Sequence, residues 1–551
     1  MKKNVAALVM GGTLAFGAIA GGCGSSAQTS ASSTESTATA SESTSTASDT
    51  SVNGDTASST KAPKYVFLFI GDGMSYPQIE STNYYLTALE NGTSMGSKDD
   101  GTTLSKSEDA LSFLSFPVVG SAQTYDSTSF CPDSASTATS ISTGNKTYSG
   151  TINMDETATV SYETITEKLR DQLGYKIGIV SSVNLNHATP AAFYCHQESR
   201  SNYYEIGEEL IASNFDYFAG GGLLKTTGSE GDKTDLYELA EEAGYTVVKT
   251  QAEAEKVTAE TGKTIIIDEN LADSDSMKYE IDRDDDEWAL SDYVSKGIDC
   301  LYEDNDTGFF MMVEGGKIDW ACHANDAAST MTDTQALSDA VAEAVEFYNE
   351  HPDETLILVT GDHETGGLTI GYAGTNYDTF LQNLENQKIS FQAFDDEYVE
   401  NYKENNTSFE DVMKDVTELF GLETEESAGT EAEDGVTEDS ADSHPTGVTS
   451  GNLVLTDYEL SKLQAAYEKT MTATEDEEQT QEEYELYGSY EPLTVTITHI
   501  LNNKSGISFT SYSHTGLPVA VFAMGEGQDD FSGYYDNTEI YDKMASLLGV
   551  E

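Results

Sequence analysis

Tyr65-Val66-Phe67-Leu68-Phe69-Ile70-Gly71-Asp72-Gly73-Met74 is the stretch on which the fold turns. Its six consecutive large apolar residues leave no polar side for either face of an extended chain, so the run reads as a strand covered on both faces. A glycine-flanked carboxylate, Asp72, follows at once. Three further runs repeat the pattern: Lys176-Ile177-Gly178-Ile179-Val180, Phe309-Phe310-Met311-Met312-Val313 and Leu356-Ile357-Leu358-Val359. Helical spacing fills the intervals, as at 330–349, where Leu337, Val341, Ala344 and Val345 share a face. The predicted fold is α/β, an open, mostly parallel sheet with helices on both faces.

The residues able to do chemistry come directly after these strands. Asp72 follows the first, Glu314 in Val313-Glu314-Gly315-Gly316 the third, and Asp362 with His363 in Thr360-Gly361-Asp362-His363-Glu364 the fourth. Ligands of open α/β sheets bind beyond the carboxyl ends of the strands, so residues far apart in sequence converge there. Asp319 and His323 stand at i and i+4, one face of a helix, and Ser513-His514-Thr515 adds a third imidazole. Carboxylates mixed with imidazoles, without a thiolate cluster, suit zinc or a similar ion in an open catalytic site. Cys131-Pro132-Asp133-Ser134-Ala135-Ser136-Thr137-Ala138-Thr139 places a serine at the start of a helix of small residues, where backbone N–H groups favour an anion. Alone, Ser134 reads as an N-cap; beside two metals it reads as an activated nucleophile.

Over roughly 64–370 and 493–548 the chain resembles the alkaline phosphatase family. The matching motifs are Asp72-Gly73-Met74, Asp133-Ser134-Ala135, His187-Ala188-Thr189-Pro190, Glu314-Gly315-Gly316 with Asp319 and His323, Thr360-Gly361-Asp362-His363-Glu364-Thr365-Gly366-Gly367, and His514-Thr515-Gly516. The resemblance implies hydrolysis of phosphate monoesters through a phosphoserine, with two Zn2+ and one Mg2+ per chain. It implies that Asp319, His323 and His514 hold one zinc, and that Asp72, Asp362 and His363 hold the second together with the Ser134 oxygen. Asp72, Thr189 and Glu314 would hold the magnesium, with His187 and Trp320 beside it; some members carry Asp and Lys at the last two positions. Arg200 stands where the family grips two phosphate oxygens, a task for a planar bidentate donor. A phosphodiesterase, sulfatase or mutase of the same superfamily would share the metal ligands, and a phosphate-binding lipoprotein without turnover would need no nucleophile. Ser134, Arg200 and the third metal set favour monoesters. A homodimer is kept among the expectations.

Charge and composition set the surroundings. With 97 Asp and Glu against 27 Lys and Arg, the net charge of −70 excludes the clustered basic surface that nucleic acid requires. An apolar content of 38% excludes a wholly disordered acidic chain. Residues 1–22 read as a lipoprotein signal peptide, with Lys2 and Lys3 ahead of an apolar stretch from Val5 to Ala20. Ala20-Gly21-Gly22-Cys23 resembles a bacterial lipoprotein cleavage box, which makes Cys23 the lipidated anchor of an exported protein on the outer face of the membrane. Residues 23–62, rich in Ser and Thr, read as a disordered tether. A catalytic core at 63–374 and 491–551 is interrupted by an acidic accessory insertion at 375–490. That insertion carries helices at 408–420 and 456–468, the latter opened by a Thr456/Glu459 capping box, and two acid-rich tracts at 421–450 and 475–485. The chain is expected to re-enter the core at Leu493-Thr494-Val495-Thr496-Ile497. Cys131, Cys195, Cys300 and Cys322 allow three disulfide pairings, or remain as buried thiols.

Replacing the anchor, Cys23→Ala, is expected to move the protein from the membrane fraction into the medium. Unchanged fractionation would count against lipidation.

Overall fold

Successive side chains of a strand point to opposite faces. In the computed structural model each long apolar run accordingly divides its residues between two cores. The structure describes residues 62–96, 101, 103–105, 111–303, 305–432, 451–473 and 479–551. The signal segment, Cys23, nearly all of the tether and the larger part of the acid-rich tracts lie outside these residues.

The main sheet contains β1 (Tyr65–Gly71), β2 (Val118–Gln123), β3 (Lys176–Ser181), β4 (Tyr217–Gly220), β5 (Thr246–Val248), β6 (Thr264–Ile267), β7 (Phe309–Gly315), β8 (Thr355–Gly361), β9 (Val519–Gly525) and β10 (Gly533–Asp536). Their spatial order is β10-β2-β9-β8-β1-β7-β3-β4-β6-β5. Within it β9 runs antiparallel to β2 and β8, and the other neighbours pair in parallel. Val66, Leu68 and Ile70 of β1 join Phe310, Met312, Leu356 and Leu358 on one face, under Ala135, Ala138 and Ile141 of helix Ser134–Thr143. Tyr65, Phe67 and Phe69 join Phe309, Met311, Ile357 and Val359 on the other, under Leu337, Val341 and Ala344 of helix Ala327–Glu350. Each such buried side chain contributes about 1.5–3 kcal/mol, so β1 fastens both layers at once. The expected α/β architecture with helices on both faces is the one found.

Helices of the 375–490 segment build a third core. Helix Phe409–Phe420 is capped by Ser408 and buries Val412, Val416 and Phe420. Helix Asp457–Thr472 opens with the Thr456/Glu459 capping box and buries Leu463. These side chains cluster with Leu381, Leu384, Leu493, Ile497 and Leu501. The return of the chain thus differs from the expectation at Leu493–Ile497. This β-branched run opens a helix, Pro492–Lys504, with Pro492 in its first turn. Leu493, Ile497, Ile500 and Leu501 recur at i, i+4, i+7 and i+8 and face the third core. The sheet is rejoined only at β9. Cys131 is exposed, Cys195, Cys300 and Cys322 are buried, and none of these four is bridged. Among the described residues no helix is long and apolar enough to cross a membrane.

One carboxyl ties the third core together. Thr494 Oγ1 donates to Asp395 Oδ1, and burial, with Glu491 adding to it, pushes Asp395 up to about 8. Folding therefore favours the protonated carboxyl. Its contribution is complete below the unfolded pKa of about 4 and is lost as the pH rises through about 8. Asp395→Asn keeps a neutral partner for Thr494, so its Tm should match that of wild type near pH 4, exceed it increasingly up to pH 8, and hold a constant excess of several degrees above that. A gap independent of pH would refute this.

Candidate metal centre

The β7-β1-β8 register aligns Gly71 with Gly315 on one side and with Gly361 on the other. The chains open at one level, and Asp72, Glu314 and Asp362 converge at the carboxyl edge of the sheet with zero exposure. Gly73 makes the turn after β1 at φ +69°, and a Cβ there would come 3.0 Å from Asp319 Oδ1 and 2.8 Å from Thr365 Oγ1. Only glycine allows that approach at that φ. Helix Lys317–His323 presents Asp319 and His323. His514 lies in a two-residue strand paired with Thr365, which brings the end of the chain onto the β8 loop.

Three sets of donors result. Asp319, His323 and His514 form one; Asp72, Asp362 and His363 form another; Asp72, Glu314 and His187 form the third, the ligand atoms of each set lying within 4.8 Å of one another. His187, expected beside the third set, lies within ligand distance of it. Thr189 Oγ1 donates to Asp72 Oδ2 at 3.2 Å at the same place. Trp320 packs edge-on against the His187 ring at 5.9 Å. Ser134, at the first position of helix Ser134–Thr143, has its Oγ 3.4 Å from Asp72 Oδ1 and 3.2 Å from His363 Nε2. Arg200 donates to Asp133 Oδ2 at 3.0 Å and lies 3.0 Å from His187 Nε2, which holds its guanidinium beside the serine. All of the candidate residues expected within the described chain come together here.

Other side chains that orient the donors had escaped the sequence reading. Thr137 donates to Asp362 Oδ2 at 2.9 Å, Thr365 to Asp319 Oδ1 at 2.5 Å, and Ser181 to Glu314 Oε2. Thr137, one turn beyond Ser134 on a buried helix, carried the signal of shared helical face; Ser181, a serine ending a buried strand, carried almost none. The Nδ1 atoms of His323 and His514 face the carbonyls of Tyr512 and Pro132 at 2.6 and 2.5 Å. Those contacts favour the tautomer that leaves each Nε2 lone pair for an ion.

Without cations this arrangement is electrostatically unfavourable. Burial raises Asp72 well above the usual carboxylate range, and Asp362, Asp319 and Glu314 add to the rise. Burial likewise lifts Glu314 to about 8 and Asp362 to about 7. Asp319 is the exception: burial works against its charge, but His323, His514 and His363 hold it below the usual range. Burial lowers His187 to about 3 and also lowers His363 and His514, so these imidazoles are neutral donors. Glu314 Oε1 is buried without a hydrogen-bond partner in the protein. An orphaned acceptor in a mixed carboxylate and imidazole set fits a divalent ion.

A buried hydroxyl at a helix N-terminus, ringed by clustered carboxylates and imidazoles at the carboxyl edge of a parallel sheet, defines a metal-dependent hydrolase of the α/β class. The alkaline phosphatase family model matches residues 63–550. Alkaline phosphatase 4 of Bacillus subtilis is 27% identical over 482 residues, covering 86% of each chain. The cold-active alkaline phosphatase of a psychrophilic Shewanella sp. is 28% identical, with a TM-score of 0.66 over 88% of this chain and 99% of that one. A mutant alkaline phosphatase of the Antarctic bacterium TAB5, with Mg bound in its M3 site, shares the fold at 22% identity, with a TM-score of 0.57 over 89% of this chain and 99% of that one. The chain belongs to the alkaline phosphatase family.

Because Asp362 and Glu314 keep protons up to about 7 and 8 when no cation is present, metal binding must displace them. Apoprotein titrated with Zn2+ or Mg2+ is expected to bind more tightly at pH 9 than at pH 6. At pH 6 it should also release protons into a weakly buffered solution. Equal affinity at both pH values would refute this account of the cluster.

Proposed function

We propose that the protein is an exported alkaline phosphomonoesterase that hydrolyses phosphate monoesters through a phosphoserine. The observation that carries this reading is the position of Ser134, with its Oγ within 3.4 Å of Asp72 and 3.2 Å of His363 and two further donor sets alongside. A protein that merely binds phosphate needs no such hydroxyl. The family resemblance supports two Zn2+, at Asp319/His323/His514 and at Asp72/Asp362/His363, and one Mg2+ at Asp72, Thr189 and Glu314. Bound there, the ions would supply Lewis-acid stabilisation of the attacking and departing oxygens and of the phosphate charge.

The chain's own residues account for the rest. Arg200 grips two phosphate oxygens and is itself oriented by Asp133 at 3.0 Å; Arg200 in turn keeps Asp133 ionised against its burial. Helix Ser134–Thr143, capped by Asp133 at the Ser136 N–H, begins at the serine, so its N-terminal dipole favours an anion there. Ser134 Oγ gives up its proton to solvent and forms a bond to phosphorus as the bond from phosphorus to the ester oxygen breaks; water protonates the leaving oxygen, and the hydroxide so formed takes up the serine proton. A water molecule then attacks the phosphoserine from the opposite side and frees phosphate and the serine hydroxyl. Neutral His187 accepts from Arg200 and adds no charge to the pocket. The lipid anchor at Cys23 and a homodimer complete the proposal, and both rest on sequence and family.

The test compares wild type with Ser134→Ala on p-nitrophenyl phosphate, after chelation and readdition of zinc, cobalt or magnesium. Wild type should lose turnover on chelation, regain it with metal and work best at alkaline pH. Ser134→Ala should fall by roughly 10^3-fold or more with the ions restored, since it loses the nucleophile but keeps the binding groups. Absence of monoester turnover by wild type under every metal regime would overturn the reading. Faster turnover of a diester would move it to another hydrolase of the superfamily.

A further inference from the structure

Beside the metal centre lies a feature that phosphate chemistry leaves unused. Phe130, four residues before Ser134, is 83% exposed, although most large apolar side chains of this chain are packed away. Two further aromatics stand open near it, Tyr534 at 64% and Tyr125 at 38%. The three surround a cleft of about 380 Å³, whose remaining wall includes Thr124, Gly516 and Pro518. Scattered exposed aromatics are ordinary; several around one concavity mark a binding surface.

The cleft is continuous with the reaction centre. On one side its wall runs from Phe130 through Pro132, whose carbonyl faces His514 Nδ1, to Ser134. On the other side it runs from His514 to Gly516 and Pro518. A Cβ on Gly516 would come 2.8 Å from the Phe130 carbonyl oxygen, so the two walls meet there. Ser75, just beyond Asp72, donates to the Pro518 carbonyl at 2.7 Å, and Thr124 donates to that of Leu517 at 3.4 Å. The backbone of the wall is therefore held in place while the rings of Phe130 and Tyr534 stand open. None of the residues lining the cleft is charged. Lys146, 4.1 Å from the centre of the Tyr125 ring, is already paired with Asp536 at 3.0 Å. Such a cleft offers flat apolar faces and no cation for a second phosphate.

We infer that this cleft receives the planar, uncharged part of a phosphomonoester, an aryl ring or a nucleobase, stacked on Phe130 and Tyr534 while the phosphate lies at Ser134. The inference rests on the phosphomonoesterase reading and adds a leaving-group preference to it. Stacking of one ring on an aromatic side chain is worth about a tenfold change in affinity or more.

The test measures kcat/KM for adenosine 5′-monophosphate, phenyl phosphate and glycerol 1-phosphate in the metal-loaded enzyme and in Phe130→Ala, Phe130→Trp and Tyr534→Ala. Adenosine and glycerol both leave as alkoxides, so their ratio reports binding of the ring and not leaving-group acidity. The ring-to-glycerol ratio is expected to fall about tenfold in Phe130→Ala, through KM, to fall less in Tyr534→Ala, and to recover in Phe130→Trp. A fall confined to the nucleotide assigns the cleft to nucleobases, and one confined to phenyl phosphate assigns it to aryl esters. Ratios unchanged in all variants, with wild type active, overturn this inference and leave the phosphomonoesterase reading intact. A wild type inactive on all three esters removes both. Sedimentation of wild type as a dimer that Phe130→Ala dissociates would reassign the face to a second copy of the chain and overturn the inference as well.

Discussion

Gly71, Gly315 and Gly361 lie side by side at the ends of three parallel strands, and the site depends on that alignment. A parallel ladder in register brings three chains to the sheet edge at the same height, so Asp72 and Asp362, just after their glycines, and Glu314, just before Gly315, are delivered to one small volume. Had β7 slipped by one residue against β1, its inward and outward faces would exchange, and Glu314 would leave the cluster. The apolar filling of both faces makes such a slip prohibitive, because Phe309, Met311 and Val313 would trade cores with Phe310 and Met312. Packing energy of the strands is what holds the carboxylates at their separations.

Those separations conflict with electrostatics in the bare protein. Asp72, Glu314 and Asp362 are completely buried beside one another, and the rise of their proton affinities measures the strain. Asp319 escapes because three imidazoles surround it and Thr365 donates to it. Divalent cations would resolve the conflict where protons do so only partly, and the proposed two Zn2+ and one Mg2+ would reverse the sign of the field beside Ser134. The net charge of −70 is therefore a poor guide to substrate. Charge on a distant surface is screened within ~8 Å at physiological salt, whereas buried donors and their ions act at contact distance.

Legibility in the sequence followed the density of the local signal. The four central strands each contain a continuous apolar run, and those runs announced burial on both faces. Asp72, Glu314, Asp362 and His363 could be nominated because each follows such a run. Strands β4, β5, β6 and β10, away from the centre of the sheet, are only three or four residues long and carry too little pattern to stand out. Leu493–Ile497, read only as a return to the core, is more instructive: the helical period, carried by Leu493, Ile497, Ile500 and Leu501, shows only beyond that window. The helices at 408–420 and 456–468 were readable because Ser408, and Thr456 with Glu459, cap them locally.

Periodicity, capping and strand-end motifs are properties of neighbours in the chain. They were enough to indicate the α/β class, the central strands and most candidate metal ligands, whereas Thr189, His187 and Arg200 came only from the family resemblance. Which donors share an ion is a property of neighbours in space. Only the tertiary structure draws His187 in beside Asp72 and Glu314 and sets Thr137 and Thr365 to orient Asp362 and Asp319. It alone brings His514 from the far end of the chain to within 3.1 Å of His323. The exposed ring of Phe130 was equally silent in sequence, since a phenylalanine reads as core until the fold leaves its face uncovered. Contacts across hundreds of residues are set by the packing of whole layers, and no local pattern encodes them.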